Sequence, residues 1–271
     1  MTKQDFNSEK MNSILVEFLR KGIKGAGFHR AVVGLSGGID STVSCFLAVT
    51  ALGKENVLGI RMPYKTSSKE SLDHAQLVID QLGIESKTIE ITPMVEPLIE
   101  KFPDMDAFRK GNIMARERMI VLYDQSAATK GLVIGTGNKT EIILGYTTLF
   151  GDSACALNPI GDLYKTQVCQ LAAYLGVPDV IIRKPPSADL WIGQTDEGEM
   201  GITYEAVDQF FFMLVEQGKT IDECLAAGFT RDFIGLVLAR ARRNRFKRSL
   251  APIAFVSGKP LVEAIFDQEM R

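Results

Sequence analysis

The stretch AVVGLSGGIDS, residues 31–41, decides the fold class of this chain. Its first part, Ala31–Leu35, is apolar and has the length of a buried strand, and the glycines after it indicate a tight turn. An apolar-periodic stretch reaching about Leu52 then indicates a helix. This order brings backbone N–H groups and the positive end of a helix dipole to one point, which suits a phosphate. The alternative is an ordinary βα turn in which Asp40 stabilises the helix N-terminus.

The same alternation of strand and helix continues on both sides of this stretch. We predict strands at Val57–Met62, Lys87–Ile91 and Leu132–Gly135, and helices at about residues 5–24, 68–82 and 106–129. Short apolar strands separated by helices are typical of a parallel sheet covered on both faces. We therefore predict an α/β fold with a doubly wound parallel sheet, as one domain over residues 1–271. The sheet occupies about 28–160 and a helical C-terminal part about 161–271, with a mobile loop at Gln194–Gly201.

The position of the loops predicts where a ligand binds. In an open parallel sheet, ligands bind beyond the carboxyl ends of the strands. The loops after Leu35, Met62 and Gly135 should therefore converge. A P-loop NTPase is not indicated, because a Walker loop needs a lysine directly after its last glycine, and Ile39 follows Gly38.

Composition narrows the function classes. The 271 residues are 46% hydrophobic and 24% charged with a net charge of -2, which is typical of a globular chain and gives no bulk electrostatic argument for nucleic acid. The polar start MTKQDFNSEK has no signal-peptide core, so we expect a cytoplasmic protein without a membrane span. Four cysteines without a C-x-x-C pair and two histidines favour neither a disulfide framework, a zinc site nor a Ser-His-Asp relay.

A second glycine block, GTGNKTE at residues 135–141, again follows a strand and precedes a helix. A Rossmann dinucleotide fingerprint would need a glycine at position 140, where Thr140 stands. The block is weak evidence by itself. Asn138 followed three residues later by Glu141 also fits a capping box, which is a structural alternative for Glu141.

Several motifs together indicate a family. SGGIDS resembles the pyrophosphate loop of the N-type ATP pyrophosphatases, which include NAD, GMP and asparagine synthetases. The blocks at residues 135–152, 158–166 and 186–190 are similar to the NAD synthetase branch in detail, over roughly residues 30–255. The resemblance implies the adenine nucleotide alpha hydrolase type of fold. It also implies a ligase that forms NAD, AMP and pyrophosphate from deamido-NAD, ATP and ammonia through an adenylated carboxylate, with Mg²⁺ and as a homodimer.

The resemblance also implies which residues form the site. The ATP contacts are Gly34, Leu35, Ser36, Gly37, Gly38, Ile39, Asp40, Ser41, Arg61, Thr136, Lys165 and Ser187. The magnesium ligands are Asp40 and Glu141, and the catalytic residues are Asp40, Lys165 and Asp152, the last as acceptor of a proton from ammonium. The deamido-NAD contacts are Phe108, Asn112, Arg116, Tyr146, Asp152, Glu199 and Lys247.

Two of these assignments have alternatives. Phe108, Asn112 and Arg116 are spaced i, i+4, i+8 on one predicted helix and share a stripe, which could instead be a solvated face. The run at residues 240–248 holds six cations in nine residues, and a solvated helix face or a nucleic-acid patch competes with Lys247 closing over anionic ligands. The sequence departs from some family members at Leu149, Ala156 and Phe246, where they carry lysine, aspartate and histidine.

Free ammonia is the expected nitrogen donor, because only about thirty residues precede the phosphate loop and an amidase needs far more. Two rival functions stay open at this point. One is a tRNA-modifying ATP pyrophosphatase, which would need an RNA-binding module or a catalytic cysteine. The other is a non-catalytic adenine-nucleotide sensor, which would bind nucleotide without releasing AMP. We predict no nucleic-acid partner.

Overall fold

A four-stranded parallel sheet forms the base of the protein, in a computed structural model that describes residues 6–187, 195–254 and 256. The strands are β1 (Arg30–Gly34), β2 (Val57–Arg61), β3 (Glu85–Thr88) and β4 (Gly131–Ile134). Their order is β3-β2-β1-β4, and Val33 of β1 pairs with Gly59 on one side and Ile134 on the other. The predicted parallel sheet is confirmed. The third strand ends three residues earlier than expected, although Ile91 still donates its N–H to the Pro63 carbonyl beyond the strand, at 2.9 Å.

Helices cover the sheet and form most of the C-terminal part. They are α1 (Ser8–Gly25), α2 (Ile39–Leu52), α3 (Lys69–Leu82), α4 (Thr92–Ile99), α5 (Ala107–Thr129), α6 (Lys139–Leu144), α7 (Lys165–Leu175), α8 (Asp179–Ile182), α9 (Asp196–Met200), α10 (Tyr204–Phe211), α11 (Ile221–Ala226) and α12 (Arg231–Arg243). A π-helical turn, Phe212–Glu216, follows α10, and a 3₁₀ turn, Arg245–Arg248, follows α12. None of the described helices has the length and apolar character that crossing a membrane requires. The sequence did not predict α4, whose Pro93 and Pro97 interrupt a helical pattern.

The alternation of side chains along the strands explains why both faces of the sheet are covered. Ala31 and Val33 of β1 lie in one apolar cluster with residues of α1, α2 and α7. Val32 points the other way and lies in a second cluster with residues of α4 and α5. All three are fully buried. Two apolar faces that each need a helical layer give the doubly wound arrangement.

A third apolar cluster forms the helical C-terminal part. Phe210 lies at its centre, with the rings of Phe229 and Phe233 at 5.6 and 5.9 Å between centroids. The expected mobile loop at residues 194–201 is wrong for its described residues, because Asp196–Met200 is helix α9. Thr195 caps this helix by accepting the Gly198 N–H at 3.2 Å, and Gly201 ends it in the left-handed region. Gln194 lies outside the described residues.

Candidate functional site

A cleft of about 370 Å³ opens at the carboxyl ends of β1, β2 and β4. The predicted convergence of the three loops at this edge is therefore confirmed. The helical part closes the other side of the cleft. Its described lining includes Gly34, Ser36, Gly38, Asp40, Ser41, Pro63, Ser71, Phe108, Asn112, Arg118, Thr136, Glu141, Tyr146, Thr148, Asp152, Lys165, Lys184, Ser187, Asp196, Glu199 and Lys247.

The phosphate loop, Ser36–Ser41, forms the floor of the cleft next to the N-terminus of α2. Gly38 is the N-cap residue of α2, and a glycine offers no side chain to accept a hydrogen bond from the first turn of the helix. The Ser41 hydroxyl donates to the Gly38 carbonyl at 3.1 Å and fixes the turn. Gly37 has φ +76°, and a Cβ there would lie 2.1 Å from the Ser71 carbonyl oxygen. The loop thus needs glycine at 37, and it presents backbone donors to the cleft.

Lys165, the first residue of α7, places its ammonium between two carboxylates on other helices. Its Nζ is hydrogen-bonded to Asp40 Oδ2 of α2 and lies 3.8 Å from Glu141 Oε1 of α6. All three side chains are at least four-fifths buried. Residues 125 positions apart in the chain, Asp40 and Lys165, therefore meet at one point of the cleft.

This group has strongly coupled charges. Burial, and after it the Asp40 carboxylate, raise the pKa of Glu141 to about 8. Burial also opposes the charge on Lys165, but the attraction of Asp40 and Glu141 is larger in sum and raises the pKa of Lys165 above its ordinary value. Lys165 therefore carries its proton at neutral pH and compensates charge that would be costly to bury alone.

Asn138 holds both carboxylates in place. Its fully buried side chain donates from Nδ2 to Asp40 Oδ1 at 3.0 Å and accepts the Glu141 N–H at Oδ1, also at 3.0 Å. Glu141 Oε2 in turn accepts the Asn138 N–H at 3.1 Å. The capping box proposed as a structural alternative is confirmed, and it leaves Glu141 Oε1 directed toward Lys165.

The opposite wall of the cleft contains a second acidic group. The Tyr146 hydroxyl donates to Glu199 Oε2 at 2.9 Å and lies 3.2 Å from Asp196 Oδ1, while the Tyr204 hydroxyl donates to Asp196 Oδ2 at 3.1 Å. Burial raises the pKa of Asp196, and it also raises the pKa of Tyr146. These tyrosines therefore remain hydroxyl donors to the two carboxylates.

The segment between these groups is held by polar contacts around Asp152. Its Oδ1 accepts the Thr148 N–H at 2.7 Å, and the Thr148 hydroxyl donates to Asn112 Oδ1 at 2.7 Å. Burial raises the pKa of Asp152. Lys247 donates to the Gly145 and Thr147 carbonyls at 2.8 and 2.7 Å, so it is anchored at the edge of the cleft.

The basic run at residues 240–248 also closes the end of α6. Besides the bonds of Lys247, Asn244 Nδ2 donates to the Leu144 carbonyl at 2.8 Å. Gly145 has φ +65°, and a Cβ on it would lie 2.2 Å from the Asn244 Cβ. Part of this run thus supplies donors to a helix C-terminus, where carbonyls lack intrahelical partners.

Three of the expected site residues do not line the described cleft. Gly37 lies against Ser71, Arg61 donates to Gln76 Oε1 at 2.6 Å, and Arg116 donates to the Leu149 carbonyl at 3.2 Å. The position of Arg116 follows from helix geometry, since steps of four residues advance by about 40° each around the axis. The cleft face of α5 instead continues from Phe108 and Asn112 through Ala115, Met119 and Leu122.

The cleft also contains residues that the sequence did not indicate. Lys184 donates to Ser71 Oγ at 2.8 Å and lies 3.7 Å from Glu70, and Arg118 donates from Nε to the Met62 carbonyl at 3.1 Å. Asp196 was assigned to a loop. Lys184 precedes two prolines, a pattern that indicated only a chain break, and no local signal distinguishes Asp196 from other acidic residues of a helix start.

Comparison with known proteins gives consistent results. A family model described as NAD synthase matches residues 11–251. The NH(3)-dependent NAD(+) synthetase of Fusobacterium nucleatum is 54% identical over 254 residues, covering 94% of this chain and 98% of the relative. A structure described as NMN synthetase from Francisella tularensis has a TM-score of 0.83 at 35% identity, covering 92% of this chain and 99% of the other. The NH3-dependent NAD synthetase of Campylobacter jejuni, in complex with the nitrate ion, has a TM-score of 0.78 at 34% identity, with the same coverage of both chains.

Proposed function

Because this chain belongs to the NAD synthase family, we propose that it forms NAD from deamido-NAD and ammonia at the expense of ATP, releasing AMP and pyrophosphate. One observation supports the ATP half of this reaction above all others. A buried lysine, Lys165, lies between Asp40 and Glu141 directly beside a loop of backbone donors. Such an arrangement stabilises negative charge that develops on a leaving phosphate group.

ATP binds with its β- and γ-phosphates against the phosphate loop. The free N–H groups at the start of α2 and the positive end of its dipole favour this placement. Thr136 and Ser187 border the same cleft and supply hydroxyls, and Gly34 lets the nucleotide approach β1 closely. For Arg61 to contact ATP in this proposal, its hydrogen bond to Gln76 must break and its guanidinium must turn toward the nucleotide.

The donor set around Lys165 fits a magnesium ion. Asp40 and Glu141 offer hard carboxylate oxygens, and both already face a cation, the Lys165 ammonium. Within residues 6–187, 195–254 and 256, no group of three or more His, Cys, Asp or Glu side chains could hold a metal. The remaining ligands would thus be phosphate oxygens and water, as Mg²⁺ prefers. When bound, the ion would neutralise charge on the phosphates of ATP.

Two substitution steps follow from the chemistry of a carboxylate. In the first, an oxygen of the nicotinate carboxylate attacks the α-phosphorus, the bond to the β-phosphate oxygen breaks, and its electron pair leaves on pyrophosphate. Lys165 and the phosphate-loop amides stabilise that charge. In the second, ammonia attacks the acyl carbon and the bond to the AMP oxygen breaks. Asp152 accepts the proton that nitrogen loses, and the raised pKa of Asp152 favours this role.

Deamido-NAD occupies the side of the cleft away from the phosphate loop. Phe108, which is 63% exposed, offers a ring for stacking, and Asn112 offers an amide for polar edges. Tyr146, Glu199 and Lys247 border the same space. Arg116 lies outside the cleft lining, so it would contact only a part of the dinucleotide that extends out of the cleft.

We also propose that two copies of the chain form a homodimer along α5. This helix exposes Phe108, Ile120 and Tyr123 at 63, 54 and 40%, and a second copy of the chain beside α5 would cover apolar surface of this helix. A partner beside α5 would place Arg116 near the interface. We propose that residues 1–271 act as one unit, since the cleft takes residues from both the sheet and the helical part. We also propose that the protein acts in the cytoplasm, where ATP for the reaction is available.

A second candidate substrate is nicotinate mononucleotide. The neighbour described as NMN synthetase favours it, because its coverage and identity equal those of the Campylobacter jejuni NAD synthetase to within one per cent. Both substrates present the same carboxylate to ATP. They differ in the adenylyl half, which only deamido-NAD can place against α5.

An isotope experiment tests both reaction and substrate. We would incubate the protein with ATP, Mg²⁺, ammonium and deamido-NAD labelled with ¹⁸O in its carboxylate, and measure the products by mass spectrometry. The proposal expects NAD, AMP and pyrophosphate in equal amounts and one ¹⁸O atom in AMP. Formation of ADP, or nucleotide binding without AMP, contradicts it. A second assay replaces deamido-NAD with nicotinate mononucleotide, and the substrate with the higher kcat/KM is the preferred one. A third assay replaces ammonium with glutamine and should give no product.

A further inference from the structure

A buried carboxylate of the helical part, Asp208 of α10, contacts the first turns of two helices that line the cleft. Asp208 is 3% exposed. Its Oδ1 accepts the Thr140 hydroxyl of α6 at 2.5 Å, and its Oδ2 accepts the Thr166 N–H of α7 at 2.8 Å. These partners are 68 and 42 positions away in the chain. Each is adjacent in sequence to a proposed site residue, Glu141 or Lys165.

Thr140 extends the contact to Lys165 itself. The Thr140 oxygen accepts the Lys165 N–H at 3.1 Å while its hydroxyl proton points to Asp208. A hydroxyl has one proton, so the bond to Asp208 fixes the direction in which the oxygen lone pairs face Lys165. Thr140 is fully buried, so water does not replace either partner. Asp208, Thr140 and the Lys165 backbone therefore form one chain of hydrogen bonds.

The start of α7 needs this external acceptor. Tyr164 is its N-cap residue, and its side chain accepts no hydrogen bond from the first turn. Asp208 supplies the missing acceptor through Thr166 and places a negative charge at the positive end of the helix dipole. The helix that begins with Lys165 is thus fixed from a separate part of the chain.

We propose that Asp208 is a positioning residue for the reaction: it fixes α6 and α7 relative to each other, so that the Lys165 ammonium and the Glu141 carboxylate face the same phosphates. Asp208 lines no part of the described cleft. It acts through Thr140 and Thr166. This inference rests on the proposed function of Lys165 and Glu141, and a misplacement of a reacting group by about 1 Å is enough to lower a rate about 100-fold.

Glu216 provides a matched control on the same segment. It follows α10 in the π-helical turn and contacts the same two helix starts, through Lys139 Nζ at 2.7 Å and the Tyr164 hydroxyl at 3.3 Å. Its side chain is 39% exposed, and neither of these two partners lines the described cleft. A residue that only docks α10 onto α6 and α7 should behave like Glu216.

The test measures the kinetics of four variants against wild type: Asp208→Asn, Thr140→Val, the two combined, and Glu216→Gln. Assays run well below each melting temperature, with rates divided by the folded fraction from circular dichroism. We expect Asp208→Asn and Thr140→Val each to lower kcat about 30-fold or more, with the KM values for ATP and deamido-NAD changed less than threefold. The kcat of the double variant should lie within about twofold of the kcat of the slower single variant, because both substitutions break the same chain of hydrogen bonds. Glu216→Gln should keep kcat within twofold.

Several outcomes overturn the inference. A folded Asp208→Asn variant with kcat near that of wild type does so, as do losses that multiply in the double variant or an equal loss in Glu216→Gln. If Asp208→Asn does not fold, Thr140→Val, which conserves side-chain volume, decides alone, and an unchanged kcat contradicts the proposal. A wild-type protein that forms no NAD would refute the proposed function, and with it this inference. An active wild type together with an equally active Asp208→Asn variant would refute only the positioning role of Asp208.

Discussion

The two sides of the cleft are built in different ways. The phosphate loop is six consecutive residues whose backbone faces the ligand, and its internal bonds join residues at most five positions apart. The rest of the lining, which we call the side-chain wall, consists of side chains from separate segments, among them Phe108, Asn112, Tyr146, Lys184, Asp196, Glu199 and Lys247. Lys247 is bonded to residues about 100 positions away. A backbone site can be recognised in a short motif, whereas a side-chain site depends on how distant segments pack.

The largest effect is expected where the two sides meet, at Lys165. Lys165→Met should lower kcat/KM about 1000-fold, since it removes the charge that stabilises pyrophosphate and leaves two carboxylates uncompensated. Steady-state assays of NAD formation measure this. Lys139→Met is the control, because Lys139 is also largely buried between two carboxylates, Asp162 and Glu216, but lies outside the cleft lining. Equal losses in both variants would contradict a specific function of Lys165.

A glycine substitution tests the backbone side of the comparison. Gly37→Ala should destabilise the protein by about 2 kcal/mol and weaken ATP binding about 100-fold, because the new Cβ would meet the Ser71 backbone and the residue has a positive φ. Chemical denaturation and nucleotide titration give the two numbers. Gly235→Ala is the matched control at an exposed position of α12, where no atom from outside the local helix backbone lies within 4 Å of the new Cβ, and stability should rise by up to about 1 kcal/mol. Unaltered ATP binding by Gly37→Ala would mean that the loop does not hold the phosphates.

A lysine of the side-chain wall should matter less. Lys184→Ala is expected to raise the KM for ATP about tenfold with a smaller change in kcat, since Lys184 borders the phosphate loop through Ser71 and adds positive charge there. Arg183→Ala, the neighbouring exposed residue paired with Asp179, should leave both constants unchanged. If the two variants have the same kinetics, the wall takes no part in binding ATP.

The magnesium dependence should vary with pH because of Glu141. Burial and the Asp40 carboxylate raise its pKa, so the metal-free carboxyl binds a proton at a higher pH than a free glutamate does, and Mg²⁺ must displace that proton to bind. The Mg²⁺ concentration for half-maximal ATP binding should therefore rise as the pH falls and become constant at high pH. Titrations at fixed ionic strength measure this. A constant value from pH 6 to pH 9 would show that Glu141 is not a ligand.

The smallest expected effect concerns one hydroxyl of the side-chain wall. Tyr146→Phe removes the donor to Glu199 and Asp196, and we expect the KM for deamido-NAD to rise about fivefold, or about 1 kcal/mol, with the KM for ATP unchanged. Tyr174→Phe, on the exposed surface of α7, is the control. A change in the KM for ATP alone would contradict the proposed position of Tyr146 beside deamido-NAD.

The sequence predicted the strand, turn and helix that form the phosphate-loop side of the cleft, for a physical reason. Gly37, Gly38 and Asp40 act through local geometry, so a motif between a strand and a helix contains most of the information. The parallel arrangement of the strands and the convergence of the loops followed from general rules for such sheets. The α4 helix was missed because its prolines resemble a break.

The side-chain wall could be predicted only in part. The sequence predicted that Phe108 and Asn112 share a face of α5, and both line the cleft. It also predicted Arg116 on that face, but eight residues after Phe108 the helix has rotated and Arg116 lies outside the cleft lining. Lys184 and Asp196 were missed because their positions in the cleft depend on contacts with Ser71 and Tyr204, which no local pattern specifies. Asp208 is a similar case, since its partners are 42 and 68 positions away.

The end of α6 has a consequence for how the protein is made. This helix of six residues carries Glu141 and is too short to be stable by itself. Its last carbonyls are bonded by Asn244 and Lys247, which a ribosome adds about 100 residues after Leu144 and Gly145. A nascent chain that ends before Asn244 therefore contains the sheet and the phosphate loop but not the bonds that close the helix of Glu141. The α6 helix that carries Glu141 thus acquires its C-terminal hydrogen bonds only after Asn244 and Lys247 have been added to the chain.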